Sequence, residues 1–261
     1  MPKVLIAGRG GSGKSTIVAL LAQAFAMNHR VLVVDADESN LSLGAMLGLK
    51  DPAATIMDFL GGKQDVRETL KATMGGRVGG ERLFTGPLSV EHLPEKYVTS
   101  RTNMAWVRIG KIEHAMEGCA CPMGFVARSF LKSMQTSPHE WVLVDTEAGV
   151  EHFGRGVLEG VDMVLAVVEP SREAISTAIR IRDLCNEAGK KYAAILNKVN
   201  GQEGILRNEL NGHSIPIIGE ISHAADIATL NLSGHTLSSD ASIFDKVVEI
   251  ADRLKDLHRA I

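Results

Sequence analysis

The sequence predicts a doubly wound α/β fold, a mainly parallel sheet flanked by helices, and three observations lead there. Short, continuous runs of Val, Ile and Leu recur along the chain, helical patterns lie between them, and a Gly-rich turn joins the first run to the first helical pattern. A run that is apolar at every residue is buried on both faces, the condition of a parallel strand covered by helices. Of 261 residues 45% are hydrophobic and only 4% aromatic, with 26 glycines to serve tight turns.

In chain order the predicted strands are Lys3 to Ala7, Val31 to Val34, Trp141 to Val144, Met163 to Val168 and Tyr192 to Leu196, followed by Ile215 to Ile218. Between them the helical patterns include Ser15 to Met27 and Ser171 to Ala188, the latter with Ser171 placed to cap it. The stretch from Asp51 to Pro138 breaks this rhythm with short helices, the glycine pairs Gly75-Gly76 and Gly79-Gly80, and a strand at Trp106 to Ile109. It reads as an elaborate insertion, around residues 51–138, in one domain spanning 1–261, since no Pro/Ser-rich linker divides the chain.

A formal net charge of −3 gives no general pull toward nucleic acid or anionic lipid, so neither is expected as a partner. Nothing approaches a transmembrane span, and the first residues do not form a secretory signal. Three cysteines are an odd count, which favours reduced thiols and a cytoplasmic location.

Gly8-Arg9-Gly10-Gly11-Ser12-Gly13-Lys14-Ser15 matches GxxxxGK[ST], with a strand before it and a helix after it. Successive N–H groups of Gly10, Gly11, Ser12 and Gly13 can curl around phosphates, and the helix N-terminus adds partial positive charge. Lys14 is expected to reach the β and γ phosphates and the Ser15 hydroxyl to ligate magnesium. Val31 to Asp37 reads VLVVDAD, which puts Asp35 and Asp37 on one side of an extended chain. Val142 to Gly149 reads VLVDTEAG, with Asp145 in place for a carboxylate near magnesium. Glu147 reads as a solvated loop charge. Asn197-Lys198 ends a later strand, where ligand sites of such sheets lie.

The loop resembles the deviant Walker A motif, KGGxGK[ST][ST], of the MinD, ParA, nitrogenase-iron-protein and ArsA group, with Ser15 and Thr16 closing it and Arg9 where that group carries a signature lysine. The resemblance implies ATP and magnesium as cofactors. It also implies a nucleotide-dependent homodimer in which Arg9 crosses to the partner's phosphates; the competing reading keeps Arg9 at its own nucleotide or in solvent. Asp37 would help the attacking water, Asp35 would join the magnesium shell or brace the loop, and Gly149 would sense the γ-phosphate through its backbone. Asn197 would contact the base, and without a following Asp the run favours adenine.

Cys119-Ala120-Cys121 precedes Pro122, which biases Cys121 toward extended geometry and so lets the thiols converge. A lone CxC supplies half of a tetrahedral soft-metal site, so metal binding, a redox pair and buried small hydrophobes all remain readings of the pair. Cys185, without a sequence neighbour, reads as a packed core residue. Together with Trp106 to Gly110, Ala148 to Gly156 and Ala166 to Pro170, the CxC resembles the CooC-type accessory ATPases that assist nickel insertion into carbon monoxide dehydrogenase. That likeness implies nickel or zinc on Cys119 and Cys121 between subunits, and carbon monoxide dehydrogenase or a related nickel enzyme as client. The alternatives are a ParA/MinD-type partition or positioning ATPase and an iron-sulfur electron-transfer ATPase. The apolar stripe Ile243, Val247, Ile250, Leu254 and Leu257 is interleaved with mixed charges, which suits a docked helix better than a lipid anchor.

Overall fold

A computed structural model of the protein describes residues 2–74, 83–84, 86–111, 121–135, 137, 139–150 and 156–259. Its elements run β1 (Lys3–Ala7), α1 (Lys14–Ala26), β2 (Arg30–Ala36), α2 (Leu43–Leu47), α3 (Ile56–Phe59), α4 (Lys63–Met74), β3 (Thr99–Arg101), β4 (Met104–Arg108), α5 (Cys121–Ser133) and β5 (Glu140–Thr146). They continue with β6 (Met163–Val168), α6 (Arg172–Glu187), β7 (Lys191–Val199), α7 (Glu203–Gly212), β8 (Ile217–Ser222), α8 (Ala225–Leu232) and α9 (Phe244–Arg259).

The strands form one eight-stranded sheet in the order β3-β4-β2-β5-β1-β6-β7-β8, and every neighbouring pair is parallel except β3 with β4. The doubly wound expectation therefore holds. From β1 the order runs through β6, β7 and β8 on one side and through β5, β2, β4 and β3 on the other, so β1 is flanked by strands from opposite halves of the sheet and the crevice at its carboxyl end is the natural ligand site of this topology.

Alternation along each strand divides the core. Val4 and Ile6 of β1 pack in the layer that holds α1, α2, α8 and α9, while Leu5 and Ala7 face the layer of α5, α6 and α7. Burying one such aliphatic side chain contributes roughly 1.5–3 kcal/mol, and both faces of the central strands do so. Ser171 caps α6 as expected, its Oγ accepting from Ala174 N–H at 3.1 Å. The stripe of α9 is docked, with Phe244, Val247, Ile250, Ala251 and Leu254 buried in the α1 layer.

Three local expectations change. The strand placed at Ile215 to Ile218 begins at Ile217, because Ile215 N–H instead bonds Leu210 O to close the end of α7, and Pro216 has no N–H to offer. The stretch 51–138 contributes not only β4 but also β3, a short polar edge strand. Cys121 is the first residue of α5 rather than extended, because Pro122 then lies in the first helical turn, where a missing N–H leaves no bond unmade.

Candidate nucleotide site

The loop between β1 and α1 is built from backbone constraints. Gly8 has φ 153°, and a Cβ there would stand 2.6 Å from Val167 O on β6. Gly13 has φ 97°, and a Cβ would meet the Asn197 amide at 2.5 Å. Both positions exclude a side chain. No side chain caps α1, so its first N–H groups stay available to an anion at the helix N-terminus. Lys14 is largely buried and its ammonium donates to Arg9 O at 3.3 Å, spanning the loop mouth. Burial lowers its pKa, and the nearby Asp145 and Asp37 charges oppose that shift.

Strand register then lines up the acidic and basic groups. Asp145 on β5 is level with Asp35 on β2, which is level with Arg108 on β4. Asp145 is fully buried, and burial raises its pKa to about 6, against the hydrogen bonds it accepts from Ser15 and Asn40. Asp35 is raised well above the carboxylate range, first by burial and then by the Asp145 charge, with Arg108 opposing.

Asn40 is the residue on which these groups converge. Its Nδ2 donates to Ser15 Oγ at 2.9 Å and to Asp145 Oδ2 at 3.0 Å, so a hydroxyl and a carboxylate oxygen aim at one point. Asp145 Oδ1 is buried with no hydrogen-bond partner among the described residues. Hard oxygens converging beside an unsatisfied carboxylate oxygen fit a magnesium ion, which Ser15 and Asp145 would hold. Arg108 fixes the loop from behind: Nη2 donates to Asn40 O at 3.0 Å and Nη1 to Asp51 Oδ2 at 2.8 Å, while Nε lies 3.4 Å from Asp35 Oδ2. Asp35 thus braces the loop, and its Oδ1 accepts from Asp37 N–H at 3.1 Å. Asp37 lies beyond the end of β2, where its Oδ1 accepts from Ser39 N–H at 2.9 Å and Ser39 Oγ–H at 2.6 Å.

On the opposite side of the loop, Arg9 is held within its own chain. Its Nη1 donates to Glu169 Oε1 at 2.7 Å and its Nε to Glu173 Oε2 at 2.6 Å. These hydrogen bonds raise its already high pKa. Asn197 Nδ2 donates to Ser12 O at 2.7 Å and Lys198 Nζ to Gly11 O at 2.6 Å, so this pair clasps the loop itself. Thr16 Oγ1 accepts from Asn231 Nδ2 at 3.2 Å. Gly149 N–H donates to Gly8 O at 3.2 Å, placing the segment that follows β5 directly against the start of the loop.

Lys14, Ser15, Asp37, Asp145, Gly149 and Asn197 are therefore gathered around one loop, while Arg9 faces Glu169 and Glu173. Sequence reading did not single out Asn40, Arg108 or Glu173. Cys119 and the side chain of Cys121 lie outside the described residues, as do His152 and the glycine pairs at 75–76 and 79–80. Among the described residues no cluster of three or more His, Cys, Asp or Glu forms a metal site. Cys185 is buried, and burial pushes its thiol up to about 12, in keeping with a packed core residue. No helix among the described residues is long and apolar enough to cross a membrane.

A parallel sheet with a glycine loop at the end of its central strand, followed by an uncapped helix N-terminus and an opposed carboxylate, defines a P-loop nucleotide-binding domain. More particularly, the chain belongs to the CobQ/CobB/MinD/ParA nucleotide binding domain family, which matches residues 3–237. It is 42% identical over 249 residues to an uncharacterized ATP-binding protein of Methanocaldococcus jannaschii, covering 95% of this chain and 98% of that one. It is 34% identical over 199 residues to the carbon monoxide dehydrogenase accessory protein CooC of Rhodospirillum rubrum, covering 76% of this chain and 74% of that one. Its fold is similar to that of the septum site-determining protein MinD of Pyrococcus horikoshii complexed with Mg-ADP, at TM-score 0.70, 18% identity and coverage of 99% and 98% of the two chains.

Proposed function

We propose that the protein is an ATP-hydrolysing, metallochaperone-like ATPase that assists nickel insertion into carbon monoxide dehydrogenase or a related nickel enzyme. In this reading it works in the cytoplasm as a nucleotide-dependent homodimer, with nickel or zinc held as cargo by Cys119 and Cys121 of each subunit. The carrying observation is a cysteine pair in the stretch that follows β4 and ends with Cys121 as the first residue of α5, β4 itself being in register with the Asp35 and Asp145 row. The relationship to CooC supports the same reading.

Bound magnesium would neutralise phosphate charge and polarise the terminal phosphoryl group. Ser15 and Asp145 would hold it, and the loop N–H groups and Lys14 would position the phosphates. Water attacks the γ-phosphorus, the bridging P–O bond breaks, ADP and phosphate leave, and Asp37 orients the water and accepts its proton. Arg9 would leave Glu169 and Glu173 to reach the partner's phosphates, where its fork suits a bidentate grip. The single domain, with the 51–138 stretch as an insertion carrying the thiols, is part of this proposal.

A partition or positioning ATPase is the runner-up, on the fold it shares with MinD. The apolar stripe of α9 is already buried in the core, so that helix offers lipid little of it. Anaerobic nickel and zinc titration of the wild type and of Cys119→Ser/Cys121→Ser tests the proposal. Thiol-dependent binding is expected; equal metal binding by both proteins contradicts it.

A further inference from the structure

We propose that Arg108 is a positioning residue that couples the magnesium position at Ser15 and Asp145 to the end of β4, by holding the Asn40 carbonyl. The inference rests on the metal-delivery reading only for what lies beyond β4, namely the segment that carries the thiols.

The Asn40 amide occupies the point where Ser15 Oγ and Asp145 Oδ2 converge. Magnesium binds oxygen at about 2.0–2.1 Å in strict octahedral geometry, and an N–H donor aimed at the same point is repelled by a cation. A cation held by Ser15 and Asp145 would therefore require the Asn40 side chain to move aside. Its main chain is not free to follow independently, because Arg108 grips the carbonyl at 3.0 Å. Arg108 itself is 4% exposed at its side chain and is tied to Asp35 and Asp51, so a shift of Asn40 is felt at β4 and not dissipated in solvent.

From Arg108 the path is covalent and hydrogen-bonded. The next residue, Ile109, donates its N–H to Asp35 O at 2.9 Å, and its own O accepts from Met57 N–H at 2.8 Å. Gly110 then packs against the Met123 thioether on α5, the helix that Cys121 begins. The end of β4 is thus fastened to β2, to α3 and to α5. The planar fork of arginine is what allows one side chain to address Asn40, Asp51 and Asp35 in different directions; a lysine ammonium on its flexible stem cannot.

Hydrogen exchange read at the amides of Ile109, Gly110 and Lys111, with and without magnesium and a nonhydrolysable ATP analogue, tests the coupling. Wild type is expected to change its exchange there by about tenfold, the scale of a local opening shifted by one bound ligand. Arg108→Lys and Arg108→Gln, which leave Ser15, Asp35 and Asp145 untouched, are expected to bind the analogue within about threefold of wild type yet lose that response. A response retained in either variant overturns the proposal, as does its absence from wild type. Loss of nucleotide binding in both variants also overturns it, because Arg108 would then merely support the site. A parallel zinc titration separates the two ideas: thiols that bind no zinc, with the exchange response intact, would sink metal delivery and leave the coupling standing.

Discussion

Two arginines flank the nucleotide loop, and the regions that hold them differ in kind. Arg9 sits on the β6 side with 41% of its side chain exposed, between Glu169 and the still more exposed Glu173. Arg108 sits on the β4 side at 4% exposure, between Asp35 and Asp51. Exposed ion pairs are worth about 0–1 kcal/mol, whereas removing one partner of a buried pair costs on the order of 3–5 kcal/mol. The same residue type is therefore loosely held on the β6 side, where the proposed mechanism sends it to a second nucleotide, and tightly held on the β4 side, where the proposed coupling passes through it.

The largest effect should fall on the loop that both regions share. Lys14→Ala should lower ATP turnover by about a hundredfold or more, measured as phosphate release, since the charge at the γ-phosphate is then uncompensated. Turnover within a few-fold of wild type would remove Lys14 from the site. Next is Arg108→Met, which should lower unfolding free energy by on the order of 3 kcal/mol in denaturant titrations, with part recovered by adding Asp35→Asn. No recovery in the double variant would show that the buried Asp35 charge is not the cause.

Asp145 gives a third effect, in magnesium-free protein. Its folded pKa of about 6 lies above its ordinary 3.8, so between these values the folded state binds more protons than the unfolded state. Stability from this group is therefore lost as pH rises through that window, by on the order of 3 kcal/mol. Asp145→Asn should stabilise the metal-free protein at pH near 7.5, flatten this dependence, and weaken magnesium-dependent nucleotide binding. An unchanged pH profile would contradict the burial argument. The smallest effect is Arg9→Ala, expected to leave stability nearly unchanged, as for an exposed ion pair, while suppressing nucleotide-dependent dimerisation in sedimentation. A stable dimer in that variant would leave Arg9 as a surface clamp.

Much of this arrangement was legible in the sequence because strands buried on both faces advertise themselves. β1, β5 and β6 are continuous apolar runs, and the loop motif lies between correct neighbours. β3 was not legible: Thr99-Ser100-Arg101 has no apolar pattern, and only its antiparallel pairing with β4 makes it a strand. Asn40 was hidden because a polar residue in a loop declares no partner until Ser15 and Asp145 are brought to it from α1 and β5. Arg108 sits inside an apolar strand, an oddity visible in the sequence, but its meaning depends on the register that sets it beside Asp35. Cys121 was read as extended from the residue after it, whereas Pro122 is equally at home in the first turn of a helix.

The central claim, that nucleotide state governs a thiolate metal site shared between subunits, is tested most directly by native mass measurement of zinc-loaded protein with ADP and with a nonhydrolysable ATP analogue. A dimer carrying one zinc per two chains with the analogue, and losing the zinc in Cys119→Ser/Cys121→Ser, is the predicted result. The same mass and zinc content in both nucleotide states, or a zinc content indifferent to the cysteines, would contradict it.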